Sequence, residues 1–97
     1  MREHDLLVAA LLDDDGLALE DFSRACAVEA EWVASRVREG LLPVAGDAPE
    51  AWRFTSVHVR RARAMRRIER DFDAAPELAA LVADLIEEIE ALRARLR

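Results

Sequence analysis

The stretch "AVEAEWVASRVREGLLPV", Ala27 to Val44, decides how the rest of the chain is read. Val33 and Val37 stand one helical turn apart, and Gly40 follows where a left-handed residue ends a helix. Leu41, Leu42 and Pro43 do not easily extend the helix past that glycine. The spacing therefore predicts a helix from about Glu29 to Glu39, with the geometry of a DNA-reading helix and its following turn. Glu29 and Glu31, however, occupy the leading end, where a DNA-reading helix would meet phosphates.

Upstream, "LALEDFSRACAV" places Leu19, Phe22, Ala25 and Cys26 at helical spacing, which predicts a first helix with one apolar face and a break near Ala27 and Val28. "DDDG", Asp13 to Gly16, reads as a charged loop. The apolar run before it, "DLLVAALL" from Asp5 to Leu12, fits a buried strand or a helical turn, and periodicity does not choose between them.

Downstream, Gly46, Asp47 and Pro49 separate Leu42–Ala45 from Ala51–Thr55, which predicts two short strands around a loop. Helix, turn, helix and hairpin make a winged helix-turn-helix, with the first apolar run available as a third strand. Ser56 is the expected N-cap of a third helix, Val57 to about Asp71. Ala62, Met65, Ile68 and Phe72 share one of its faces, and Arg60, Arg63, Arg67 and Arg70 form a stripe on the opposite one.

After "DFDAAPE", Pro76 suits the first position of a last helix. Leu78, Val82, Leu85, Ile89, Leu92 and Leu96 alternate steps of four and three along it, a heptad seam expected to form a homodimer interface or to pack on the chain's own domain. Glu88 and Arg93 flank the seam where they would pair between chains. The expected fold class is thus mainly α with a small β-wing. A winged helix-turn-helix domain would occupy residues 1–75 and a C-terminal coiled-coil-type dimerisation helix residues 76–97.

Composition narrows the function classes. Ninety-seven residues fit one small domain, and the net charge of −6 with a pI of about 4.9 disfavours non-specific attraction to nucleic acid or to an anionic membrane. Cys26 is the single cysteine, and with only His4 and His58 beside it no Cys/His metal set is expected. The most apolar run, Leu6–Leu12, is far short of the roughly 20 residues that cross a bilayer. A cytoplasmic regulator with no cofactor, no metal, no membrane contact and no small-molecule substrate is the expectation; His58 lacks a carboxylate at triad-like geometry, so no enzyme is expected.

"LEDFSRACAV", "VREGLLPV", "WRFT" and "RRARAMRRIERDF", followed by a coiled-coil helix, resemble the MerR-like winged-helix family. They are most similar to its divergent branch of chaperone modulators, the CbpM type, over about Leu17 to Arg97. The resemblance implies a regulator that binds the J-domain of a DnaJ-like (CbpA-type) co-chaperone and inhibits it. Two places depart from the family pattern: "DFDAAPE" replaces a turn that usually contains glycine, and "REHDLLVAALLDDD" has no strong counterpart.

MerR-type activators usually carry arginines where this chain has Glu31 and Ala34, and carboxylates are repelled by a polyanion. Asp13 to Glu31 holds seven acids against Arg24 alone, a local charge of −6. J-domains present a Lys/Arg-rich helix that such a patch would steer. The expected partner-binding residues are Glu29, Glu31, Trp32, Ser35 and Arg36, with Trp32 either an aromatic anchor or a filler of the core. Seven arginines and one acid, Glu69, lie between Arg53 and Arg70, a local charge of +6. Arg53, Arg60, Arg63, Arg67 and Arg70 therefore carry the runner-up reading, a MerR-like DNA-binding transcriptional regulator, or contact with an acidic partner.

Overall fold

The computed structural model describes residues 15–96. The apolar run of residues 5–12, with the third strand expected from it, and Arg97 lie outside the described residues. Among the described residues four α-helices follow one another: α1 (Leu19–Cys26), α2 (Ala30–Arg38), α3 (Ser56–Phe72) and α4 (Pro76–Arg95).

α1 ends as local chemistry dictates. Ala27 takes a left-handed conformation (φ 56°), its N–H donates to Arg24 O at 3.1 Å and that of Val28 donates to Ser23 O at 3.0 Å. This satisfies two carbonyls that a helix end leaves without partners. α2 ends in the same motif around Gly40 (φ 76°), whose N–H reaches Val37 O while Leu41 N–H reaches Arg36 O. The first two helices and the turn at Gly40 therefore stand as expected.

The wing does not form the expected hairpin. Neither Leu42–Ala45 nor Ala51–Thr55 is a strand, and Phe54 pairs instead with Leu17 in an isolated antiparallel bridge, with N–H to O distances of 2.8 and 2.9 Å. Two prolines explain the difference. Pro43 has no N–H for a ladder, and Pro49 opens a 3-10 turn, Pro49–Ala51, in which Ala51 N–H donates to Ala48 O. The loop closes through a side chain, Trp52 Nε1–H donating to Gly46 O at 3.2 Å. Gly16 fits the bridge because its φ is +72° and a Cβ there would stand 2.9 Å from Phe54 O.

Phe54 is the hub of the core. Its ring stacks on Phe22 at 4.0 Å between centroids and meets Trp52 edge-on at 6.3 Å. Leu17, Cys26, Val33, Ala34, Leu42, Val59 and Ala62 complete this cluster. Thr55, one residue earlier than Ser56, caps α3: its N–H donates to His58 Nδ1 at 2.9 Å. His58 therefore carries its proton on Nε2, which donates to Pro43 O at 2.8 Å and ties the loop to α3.

A second, smaller cluster joins α3 to α4 through Met65, Ala79, Ala80 and Ala83. Ala62 and Met65 are buried and Ile68 half-buried, as the face pattern predicts, but Phe72 is 77% exposed. It stands on the last turn of α3, whereas the buried residues of α4, Ala79, Ala80 and Ala83, cluster with Met65 nearly two turns further back. The chain reverses at Asp73, which holds the left-handed position (φ 51°) open to Asp, and Pro76 starts α4 as expected. No helix among the described residues is long and apolar enough to cross a membrane.

Candidate functional site

The residues expected to bind a partner lie on α2 and at its start. Glu29 and Glu31 are exposed, in the first turn or just ahead of it, where the helix dipole favours negative charge. Trp32, Ser35 and Arg36 are half-buried. Arg36 turns inward: its Nε donates to Glu69 Oε2 at 3.0 Å and its Nη2 to Glu69 Oε1 at 2.7 Å, a bidentate pair with side chains 11% and 9% exposed. Trp32 Nε1–H donates to the same carboxylate at 3.0 Å, and the Arg36 guanidinium lies 5.0 Å from the centre of the Trp32 ring.

Glu69 thus gathers three donors, and its acidity reflects the balance. Burial pushes the carboxyl up, but the hydrogen bonds from Arg36 and Trp32 and the charges of Arg36 and Arg66 outweigh it, holding Glu69 below the usual carboxylate range. The hydrogen bond with Glu69 in turn raises Arg36, against burial. Chemically the cluster is a clamp between α2 and α3. It orients Trp32 and Arg36 from beneath, and it leaves the outward charge at the start of α2 acidic.

The arginine stripe is partly engaged. Arg63 donates to Ala25 O at 2.8 Å, Arg53 to Trp52 O at 2.7 Å and to Glu50 O at 3.2 Å. Arg67 and Arg70 stand 3.7 and 3.5 Å from the carboxylate of Asp71. Among the described residues Arg60 has no such bond.

The expected seam of α4 faces outward. Leu78, Leu85, Ile89, Leu92 and Leu96 are exposed, Leu96 by 87%, and Val82 is half-buried. Leu81 and Ile86 extend the apolar surface.

Two residues that organise the site escape a reading by pattern. Glu69 shows in the sequence only as the lone acid within the arginine run. Arg61 lies off the stripe; its Nε donates to Leu41 O at 3.0 Å and its Nη1 to Asp84 at 2.7 Å and Glu87 at 3.1 Å, joining the end of α2 to α3 and α4. Cys26 is buried, and burial, opposed by the charge of Arg63, pushes its thiol up to about 11, which suits a core residue and not a nucleophile.

Residues 17–97 match the family described as MerR HTH family regulatory protein. Proteins named chaperone modulatory protein CbpM from Coxiella burnetii, strains Dugway 5J108-111, RSA 331 / Henzerling II and CbuG_Q212, are each 30% identical over 81 residues, 84% of this chain and 76% of theirs. No solved structure matches the chain. A helix-turn-helix start, a long α3–α4 hairpin and these relatives agree: the chain belongs to the MerR-like, CbpM-type family of regulators.

Proposed function

We propose that this chain is a cytoplasmic chaperone modulator that binds the J-domain of a DnaJ- or CbpA-like co-chaperone and inhibits it. The observation that carries the reading is the 30% identity, over most of both chains, to relatives named for chaperone modulation. The acidic start of α2 supports it physically. Glu29 and Glu31 face solvent while Arg36, the nearest cation on that helix, is neutralised against Glu69, so the surface suits the Lys/Arg-rich helix of a J-domain. Ser35 and the exposed part of Trp32 would border this contact.

The reading includes a homodimer. Residues 76–97 act as the dimerisation helix of a domain formed by residues 1–75, with Leu78, Val82, Leu85, Ile89, Leu92 and Leu96 facing a second copy. A row of exposed leucines and isoleucines on one helix is the surface such an association removes from water.

Mixing the purified chain with the isolated J-domain of a co-chaperone from the same organism tests the proposal. A salt-sensitive complex is expected, weakened about fivefold or more by Glu31→Lys. No complex even at low salt would sink it. DNA binding through the arginine stripe is the weaker reading, because Arg67 and Arg70 share the carboxylate of Asp71 and the start of α2 repels phosphate.

A further inference from the structure

The α3–α4 hairpin is closed at one end and open at the other. Near its closed end Met65, Ala79, Ala80 and Ala83 bring the helices together. Toward the start of α3 the two helices line a crevice of about 560 Å³, in which Ala83 is buried, Ala64 half-buried, and Val57 and Ile86 exposed. Its two rims carry opposite charge, Arg60 and Arg63 on α3 against Glu87 and Glu90 on α4. Arg61, with its side chain 12% exposed, crosses between the helices to Asp84 and Glu87, so their spacing is set without an occupant.

The acidic start of α2, by contrast, offers charge with little apolar surface, because Trp32 is half-buried against both core clusters with its indole N–H held on Glu69. Protein contacts draw most of their energy from apolar groups seated in a pocket, while exposed rim charges mainly steer. From this we infer that the α3–α4 crevice anchors a helix of the partner, one that lays an apolar side chain over Ala64 and Ala83. A basic residue along one edge of that helix meets Glu90 and an acidic residue along the other meets Arg60, since Glu87 is held by Arg61 and Arg63 by Ala25 O. The volume is that of a small ligand pocket, and an amphipathic helix in a groove is the occupant that uses both floor and rims. The inference rests on the J-domain reading and adds to it the surface where affinity, as distinct from steering, resides.

The test uses the full chain and the isolated J-domain of a DnaJ-like co-chaperone from the same organism, with Kd read by calorimetry. Arg60 and Glu90 are both exposed, so the double variant Arg60→Glu with Glu90→Lys is expected to keep the wild-type circular dichroism while its Kd rises about tenfold or more. Ala64→Trp, which fills the crevice, is expected to act in the same direction. If wild type binds and both variants bind equally well, the crevice is not the anchor and the modulator reading stands without it. If wild type does not bind, both readings fall. A change of mass by light scattering between wild type and the double variant assigns the crevice to a second copy. A lower Tm of the double variant seen with residues 1–14 and not without them assigns it to the chain's own N-terminal segment. Either of these last two results overturns the inference.

Discussion

Around Phe22 and Phe54 the chain hides its bulk, whereas along α4 it hides alanines and turns its leucines outward. The first region encloses a stacked aromatic pair, Leu42 and Val33, all at 0% exposure. In the second, Ala79, Ala80 and Ala83 face α3 while Leu78, Leu81, Leu85 and Ile89 each stay about half exposed. Small side chains let two helices approach closely but remove little apolar area from water. The difference teaches that the first region is closed among the described residues, and that α4 carries an apolar surface those residues leave exposed.

Substitutions sharpen that contrast. Phe54→Ala removes the hub of the complete region and is expected to lower stability by about 3–5 kcal/mol, read as a shift of the denaturant midpoint. Retention of wild-type stability would mean that the aromatic stack is not the centre of the fold. Arg36→Met leaves Glu69 half-buried with one donor, Trp32, and a loss of about 2–3 kcal/mol is expected at neutral pH.

The same clamp gives an acid dependence with a definite sign. Burial raises the Glu69 carboxyl but its donors hold it lower still than its ordinary value, so the stability it contributes is present at neutral pH. That stability is lost as pH falls through the depressed folded value. Glu69→Gln is expected to be less stable than wild type near pH 7, with the gap closing toward the acid limb; a constant gap from pH 7 down to pH 2 would break the argument. Gly16→Ala, which places a Cβ against Phe54 O at positive φ, is expected to cost about 1–2 kcal/mol in thermal melts.

Leu85→Asp makes the smallest change to the single chain, within about 0.5 kcal/mol, because the side chain is already exposed. Its expected effect is on mass: light scattering at micromolar concentration should fall from dimer to monomer. If wild type is itself a monomer, the outward leucines serve some other contact, and the contrast between the two regions must be explained differently.

Much of this was legible from residues near one another in the chain. Gly40 after a helical pattern, Pro76 before one, the spacing of Phe22 with Cys26 and that of Ala62, Met65 and Ile68 are local signals, and the four described helices follow from them. The wing departs from the expected hairpin because Gly46, Asp47 and Pro49 mark a turn without naming the partner of the segment after it. Phe54 lies next to Leu17, 37 positions earlier, and no local pattern carries that pairing. Arg36 and Glu69 stand on different helices, so the clamp that turns Trp32 and Arg36 inward was equally out of reach. Phe72 obeyed the helical periodicity of its neighbours and is nonetheless exposed, since periodicity names a face but not how far the opposing helix extends.

The sequence by itself determined the helices, their ends, the acidic start of α2 and the family, because backbone preferences and the order of residues act over a few positions and survive in any tertiary arrangement. Only the tertiary structure decided which polar groups neutralise one another, which segment pairs with Leu17 and which apolar face is left outside. Those outcomes depend on distances between elements, and burial and Coulomb energies follow distance in space, not separation along the chain.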